Sequence, residues 1–208
     1  MDLSINSNLS FKSRSAAIRK ADDFARKVKN TVPLLSSTKM YRLNSHKKRP
    51  WVTENLDGDI LYVRYCLRES CLYTGEESDS NILKPILEYK AGNCFESSVL
   101  GLMAAKANGI KNCRIAHFQN KDGQSIDHAF ILVDCEKPYI IDTYFGFADY
   151  IPEAIKKYKS EYNIFKVEDY ANLKIVSNNY LLAKLLNMID SQTAKKEVET
   201  LCPQLILK

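Results

Sequence analysis

Residues 91–109 read AGNCFESSVLGLMAAKANG and contain the best-defined element of the chain. Apolar residues dominate positions 99–107, which is typical of a helix that is buried on most of its surface. The pair Asn108-Gly109 is a common helix C-terminal signal, because glycine readily adopts the left-handed conformation that ends a helix. The sequence therefore predicts a buried helix that starts near Asn93 and ends at Asn108-Gly109.

The segments around this helix predict a mixed fold. Turn sequences at 120–123 and 135–138 separate three predicted strands, at 113–118, 128–134 and 139–145. Apolar residues at helical spacing predict an amphipathic helix over 14–29, whereas 31–58 has the punctuation of a loop and 60–73 fits either a helix or a strand. The C-terminal third predicts helices near 149–160, 178–189 and 191–201.

Length and composition place the chain in the globular class. It has 208 residues, of which 45% are hydrophobic and 26% charged, so it can bury a core of its own. No apolar run approaches the roughly 18 residues that a membrane-spanning helix needs, and the first residues lack the apolar core of a secretory signal. The six cysteines are unevenly spread and no export signal is evident, so we expect free thiols in a reducing compartment. They include no pair of CxxC units, so we expect no metal site.

The charge is unevenly distributed along the chain. Residues 1–50 hold 12 Lys and Arg against 3 Asp and Glu, whereas residues 51–208 hold 18 against 22. We therefore divide the chain into a basic N-terminal extension with an amphipathic helix, at 1–50, and a second domain at 51–208. Basic segments that bind nucleic acid usually carry interleaved aromatic residues, and only 46–51, HKKRPW, hints at this pattern. No nucleic-acid partner is expected.

Three polar residues stand at positions that a packed core does not require. Cys94 lies at the predicted start of the buried helix, where unpaired N–H groups and a partial positive charge lower a thiol pKa and can hold an oxyanion. His128 lies at the start of a predicted strand. Asp142 lies inside an apolar strand, where an acid is costly to bury without a partner.

The strand spacing can bring two of these residues together. If 128–133 and 139–144 form a hairpin, a loop at 134–136 places His128 directly opposite Asp142, and a loop at 135–137 makes them diagonal neighbours. Each residue alone is more often structural. Together, in the order helix cysteine, strand histidine and strand aspartate, they predict a nucleophile, a base and a group that orients the base.

The motifs that carry these residues also resemble a known family. Gly92-Asn93-Cys94 with Glu96, then 127–130 (DHAF), then Ile141-Asp142 is similar to the transglutaminase-like branch of the papain-like superfamily, and in particular to small papain-fold toxins and effectors of bacteria. The resemblance covers roughly residues 85–150. It implies that residues 51–208 form a catalytic domain with an α+β fold and a papain-like core, in which the catalytic helix packs on an antiparallel sheet with additional N- and C-terminal helices. Thr143-Tyr144 departs from the family pattern, which often has Pro-Trp there.

The resemblance implies a Cys-His-Asp triad of Cys94, His128 and Asp142, and a cofactor-free thiol enzyme that attacks amide bonds in protein substrates. We expect deamidation or transamidation of glutamine, by a bacterial effector that is cytoplasmic or is delivered without a signal peptide into a host cell to act on a host protein. The same triad also fits a cysteine peptidase or isopeptidase. A non-catalytic binding module is a further alternative. An acyltransferase like the arylamine acetyltransferases is a weaker one, since those enzymes are generally longer.

The residues that would support the triad are less well determined by the sequence. Candidates for substrate binding or for the second oxyanion donor are Asn93, Gln119 and Trp51. Glu96 is two positions beyond Cys94 and therefore points elsewhere around the helix, so it is expected to cap the helix or to pair locally. His117 is expected to be a core or edge residue of its strand.

Overall fold

The computed structural model describes residues 15–36, 50–72, 82–162, 173–178 and 181–207. These residues form seven α-helices and one antiparallel sheet of five strands. The helices are α1 (Ala16–Thr31), α2 (Pro50–Leu72), α3 (Leu83–Tyr89), α4 (Cys94–Ala107), α5 (Ile151–Lys157), α6 (Leu181–Met188) and α7 (Ser191–Leu201). The strands are β1 (Cys113–Gln119), β2 (Ser125–Val133), β3 (Tyr139–Asp142), β4 (Phe147–Tyr150) and β5 (Lys174–Ser177). The predicted α+β class is confirmed.

The sheet has the strand order β4-β3-β2-β1-β5 and is covered on both faces. One face packs against α4 through buried aliphatic residues of three strands: Ile115, Ile131 and Ile141. The other face packs against α5 and the π-helical turn Tyr158–Tyr162 through a second set of buried residues: Phe118, Phe130 and Ile140. The buried helix on a sheet that the sequence predicts is therefore present.

Helix α4 begins and ends within one residue of its predicted bounds, but two neighbouring predictions were wrong. The predicted strand 139–145 ends at Asp142, because Gly146 takes a φ of +79° and its N–H donates to the Asp142 carbonyl at 2.8 Å, which reverses the chain into β4.

The second wrong prediction concerns residues 50–58, which were predicted as loop and belong to α2. Proline is favoured in the first turn of a helix, and Leu56 and Ile60 are buried one turn apart.

Helix α1 packs in the same core as the rest of the chain. Phe24, Ala25 and Val28 are buried, and they belong to the cluster that also contains residues of α4 and the sheet. The Asp22 carboxylate accepts a hydrogen bond of 2.9 Å from the Ala148 N–H of β4. Residues 16–31 of the predicted basic extension therefore share a core with residues beyond position 50. Among the described helices, none combines the length and the apolar character needed to cross a lipid bilayer.

Candidate active site

The first turns of α4 lie against the end of the sheet at which β2 begins and β3 ends. Thr143, the residue after β3, donates to the Ser97 carbonyl at 2.7 Å and accepts from the Ser97 hydroxyl at 3.0 Å. One turn further along the helix, a Cβ on Gly101 would lie 2.7 Å from Ile131, so the absence of a side chain lets the helix approach the sheet closely. These contacts bring Cys94, the first residue of α4, to the same end of the sheet as His128 and Asp142.

The backbone that leads into α4 is shaped around a buried acid. The side chain of Glu96 is fully shielded from solvent, and its Oε2 accepts a hydrogen bond of 2.8 Å from the Asn93 N–H. A Cβ on Gly92 would lie 2.5 Å from the Cβ of Glu96, a distance that would force the chain to shift. Glycine at position 92 is therefore required for Glu96 to fold back over the helix start. As predicted, Glu96 caps the helix.

Arg64 of α2 holds the other oxygen of Glu96. Its Nε donates to Oε1 at 2.6 Å, and its Nη2 lies 3.5 Å from Oε2. Burial lowers the pKa of Arg64, but the hydrogen bond and negative charge of Glu96, together with the nearby Cys94, raise that pKa above its usual value. Helix α2 is thus tied to the residue that orients the start of α4. Sequence reasoning missed Arg64, because its partner lies 32 positions away.

Thr143 and Tyr144, which depart from the family pattern, both form hydrogen bonds near the start of α4. Ser36 donates to the Asn93 side-chain oxygen at 2.8 Å, and its single hydroxyl proton is then occupied, so the Tyr144 hydroxyl donates to Ser36 at 2.7 Å. This chain of hydrogen bonds connects the turn after β3 to the N-cap residue of α4. Asn93 is therefore placed at the helix start, where it fixes the backbone next to Cys94.

His128 and Asp142 form a buried pair. Nε2 of His128 lies 2.6 Å from Oδ2 of Asp142, and the two side chains are 2% and 1% exposed. Strands β2 and β3 pair Ile131 with Ile141 and Val133 with Tyr139. This register makes His128 and Asp142 diagonal neighbours, which is the second of the two registers that the spacing allowed.

The charge of Asp142 determines the protonation state of His128. Burial lowers the pKa of His128, but the charge and hydrogen bond of Asp142, together with the nearby Cys94 side chain, outweigh burial and raise that pKa to about 10. At neutral pH the imidazole is therefore protonated. Because Asp142 occupies Nε2, Nδ1 is the nitrogen of His128 that can serve the Cys94 thiol. Cys94 is partly exposed, whereas His128 and Asp142 are buried.

A fourth group, absent from the sequence reasoning, completes the Asp142 environment. The hydroxyl of Tyr158, a fully buried residue, donates to Oδ2 of Asp142 at 2.7 Å. The Phe145 N–H donates to the other oxygen, Oδ1, at 2.9 Å. Ala154 and Tyr158 are spaced as on the buried side of a helix, so the sequence suggests only core packing at position 158. The available signal was the hydroxyl itself, which needs a partner when a tyrosine is buried.

The remaining predicted site residues are placed elsewhere or lie outside the described side chains. The Gln119 amide is held in the turn between β1 and β2, where Nε2 donates to the Gly123 carbonyl at 2.6 Å. Trp51 belongs to the first turn of α2, and its side chain lies outside the described part of the chain. His117 is a buried residue of β1, as predicted; its Nε2 contacts the Ser125 hydroxyl at 3.0 Å, and burial lowers its pKa.

Within the described ranges, no cluster of three or more His, Cys, Asp or Glu side chains is arranged to hold a metal ion.

A scan against models of protein families, a search of curated proteins and a search of solved structures each returned no match for this chain. The resemblance to the transglutaminase-like branch therefore rests on the short motifs around Cys94, His128 and Asp142. The papain-like core stays a prediction from the sequence.

Proposed function

We propose that this protein is a thiol enzyme that cleaves amide bonds of protein substrates through an acyl-thioester on Cys94. The observation that carries the proposal is a partly exposed thiol at a helix N-terminus that lies at the same end of the sheet as a buried imidazole. The same imidazole lies 2.6 Å from a buried carboxylate, that of Asp142. A nucleophile, a base and an orienting group in this order are the elements of covalent acyl transfer.

The first half of the reaction uses the proton on His128. The Cys94 thiolate attacks the amide carbonyl carbon, and the resulting oxyanion lies near the unpaired N–H groups at the start of α4. As the C–N bond breaks, Nδ1–H of His128 donates its proton to the departing nitrogen. Ammonia or an amine leaves, and the acyl group remains on sulfur as a thioester.

The second half regenerates the thiolate. The neutral imidazole of His128 takes a proton from a water molecule as the water attacks the thioester carbon. The carboxylic acid product leaves, and Cys94 returns to the thiolate beside a protonated imidazole. Asp142 keeps the imidazole in one orientation through both halves and stabilises its charged form. When an amine attacks in place of water, the product is a new amide and the reaction is a transamidation.

For the substrate we propose a glutamine carboxamide in a host protein, so that the enzyme acts as a deamidase or transamidase delivered by a bacterium. The motifs quoted for the transglutaminase-like resemblance support this choice. The solvent-accessible position of Cys94, next to fully covered partners, is compatible with a side-chain amide that reaches the thiol from a protein surface.

The thiol itself is tested with iodoacetamide, followed by peptide mass spectrometry of all six cysteines. We expect Cys94 to be alkylated at least about 10-fold faster than exposed Cys135, and this advantage to be lost in His128→Ala. The matched variant His117→Ala should keep the faster alkylation of Cys94. Equal, slow labelling of every cysteine would instead support a non-catalytic binding module.

The reaction is tested by incubating a glutamine-rich protein such as casein with the wild-type enzyme and with Cys94→Ala. Deamidation adds about one dalton at a glutamine, and in ¹⁸O-labelled water the new carboxylate carries one heavy oxygen from the attacking water. With a primary amine present, transamidation attaches that amine at the same glutamine. Cleavage of backbone or isopeptide bonds without change at glutamine would replace the deamidase proposal with a peptidase.

A further inference from the structure

Three donors converge on the Asp142 carboxylate, and two of them share a single oxygen. His128 Nε2 and the Tyr158 hydroxyl lie 2.6 Å and 2.7 Å from Oδ2, whereas the Phe145 N–H lies 2.9 Å from Oδ1. An ionised carboxylate has about four acceptor positions, so these buried donors nearly saturate it. The carboxylate therefore has little freedom to rotate away from the imidazole.

The Tyr158 hydroxyl is held in place by rings on several sides. Its ring contacts His128 edge to face, with centroids 5.2 Å apart, and meets Phe147 and Phe118 in similar arrangements at 5.2 Å and 5.7 Å. It begins a π-helical turn, a geometry that is frequent at functional sites. Burial and the Asp142 charge raise the Tyr158 pKa well above its ordinary value, so the hydroxyl stays a donor across the working pH range.

We propose that Tyr158 is a positioning residue whose hydroxyl shares Oδ2 of Asp142 with His128, fixes the carboxylate, and limits how firmly that carboxylate holds the imidazolium proton. The catalytic consequence rests on the proposed function. His128 must give up a proton to the departing nitrogen, and an imidazolium held too firmly is a poor acid. By withdrawing negative charge from Oδ2, Tyr158 keeps His128 able to donate.

The test compares Tyr158→Phe with the matched variant Tyr162→Phe. Tyr162 lies in the same π-helical turn and stacks on Phe145, with ring centroids 3.9 Å apart, so both variants remove one hydroxyl and keep one ring. The His128 pKa is measured by NMR of the imidazole nitrogens over a pH titration. This measurement needs no substrate.

In Tyr158→Phe we expect the His128 pKa to rise by about one unit, because a hydrogen bond to a charged carboxylate is lost. Tyr162→Phe should leave the His128 pKa nearly unchanged. If Tyr158→Phe fails to fold, a singly fluorinated tyrosine placed at position 158 replaces it. This residue has the same shape and donates more strongly, so the His128 pKa should fall.

An unchanged His128 pKa in folded Tyr158→Phe, or a shift of equal size in Tyr162→Phe, would overturn the proposal. So would a fluorinated tyrosine that leaves the pKa of His128 unchanged or raises it. A wild-type Cys94 that reacts no faster than the other cysteines would refute the proposed function, but the titration of His128 would still decide the role of Tyr158.

Discussion

The His128 imidazole and the Asp142 carboxylate are joined by a hydrogen bond of 2.6 Å, and both side chains are almost completely shielded from solvent. A buried ion pair stabilises a fold only when its remaining donors and acceptors also find partners. Here the Tyr158 hydroxyl and the Phe145 N–H supply them on the carboxylate side. Removal of the Asp142 charge should therefore affect stability and reactivity together.

Asp142→Asn is expected to lower the His128 pKa below its ordinary value, because burial remains and the compensating charge is gone. Enzymatic activity should fall by about 10²- to 10⁴-fold, and the free energy of unfolding by about 3–5 kcal/mol. Asp134→Asn is the matched control, since Asp134 also pairs at 2.6 Å, with Arg114, but is half exposed. Asp134→Asn should lower the free energy of unfolding by at most about 1 kcal/mol. Equal losses in chemical denaturation would contradict this account.

The raised pKa of His128 also predicts how stability depends on pH. The folded-state pKa of about 10 exceeds the ordinary 6.5, so the stabilisation is complete below about pH 6.5 and is lost as the pH rises through about 10. Because the Cys94 thiolate would gain a proton on unfolding and offset this trend, the trend is measured in Cys94→Ala. In that variant the free energy of unfolding should fall by up to about 1.4 kcal/mol per pH unit from pH 6.5 to 8.5. This range avoids Cys113 and Cys202, whose pKa values burial also raises from 9.0.

His128→Gln isolates that contribution, because it removes the titrating group and leaves the rest of the site in place. The difference in unfolding free energy between Cys94→Ala and the double variant Cys94→Ala/His128→Gln should shrink steadily from pH 6.5 to 8.5. Urea denaturation at several pH values measures it. A difference that stays constant over this range would show that His128 does not carry a raised pKa in the folded protein.

The sequence predicted those parts of the site that depend on local spacing. Asn93 and Gly109 mark the ends of α4, and the parity of 128 and 142 places both residues on one face of the sheet whichever of the two loops forms. These features depend on a few consecutive residues, so they can be read from one sequence. Chemical type then distinguished Cys94, His128 and Asp142 from core positions.

The missed parts depend on contacts between distant segments. Arg64 meets Glu96 from another helix, and Ser36 reaches Tyr144 across 108 positions, so neither pairing leaves a local pattern. Strand β4 was missed for a different reason. Eight of the twelve residues in 139–150 are hydrophobic, and a turn that ends at Gly146, which has a positive φ, divides the segment into two strands. Periodicity alone does not locate a reversal inside a mostly apolar segment.

Glu96→Gln tests whether the buried acid orients the start of α4. Loss of its charge weakens the hydrogen bonds to Arg64 and to the Asn93 N–H, so we expect a loss of about 1–3 kcal/mol in the free energy of unfolding and slower alkylation of Cys94. The control is Glu88→Gln, because Glu88 forms an exposed pair with Lys84 at 3.9 Å. That change should alter stability by less than about 0.5 kcal/mol and leave alkylation unchanged. Matching effects in the two variants would show that Glu96 has no special role.

Gly92→Ala tests the shape of the backbone beside the thiol. The new Cβ would lie 2.5 Å from Glu96 Cβ and 3.2 Å from a methyl group of Leu34, so the acid must move and the helix start must shift with it. We expect a loss of about 1–3 kcal/mol in unfolding free energy and a clear fall in the rate of Cys94 alkylation.

Gly58→Ala is the control, because nothing lies within 4 Å of its Cβ and α2 is helical there. Since alanine favours a helix by about 1 kcal/mol over glycine, that variant should gain stability and keep the alkylation rate. If Gly92→Ala behaved like Gly58→Ala, the close approach of Glu96 to the backbone would not be what holds Cys94 in place.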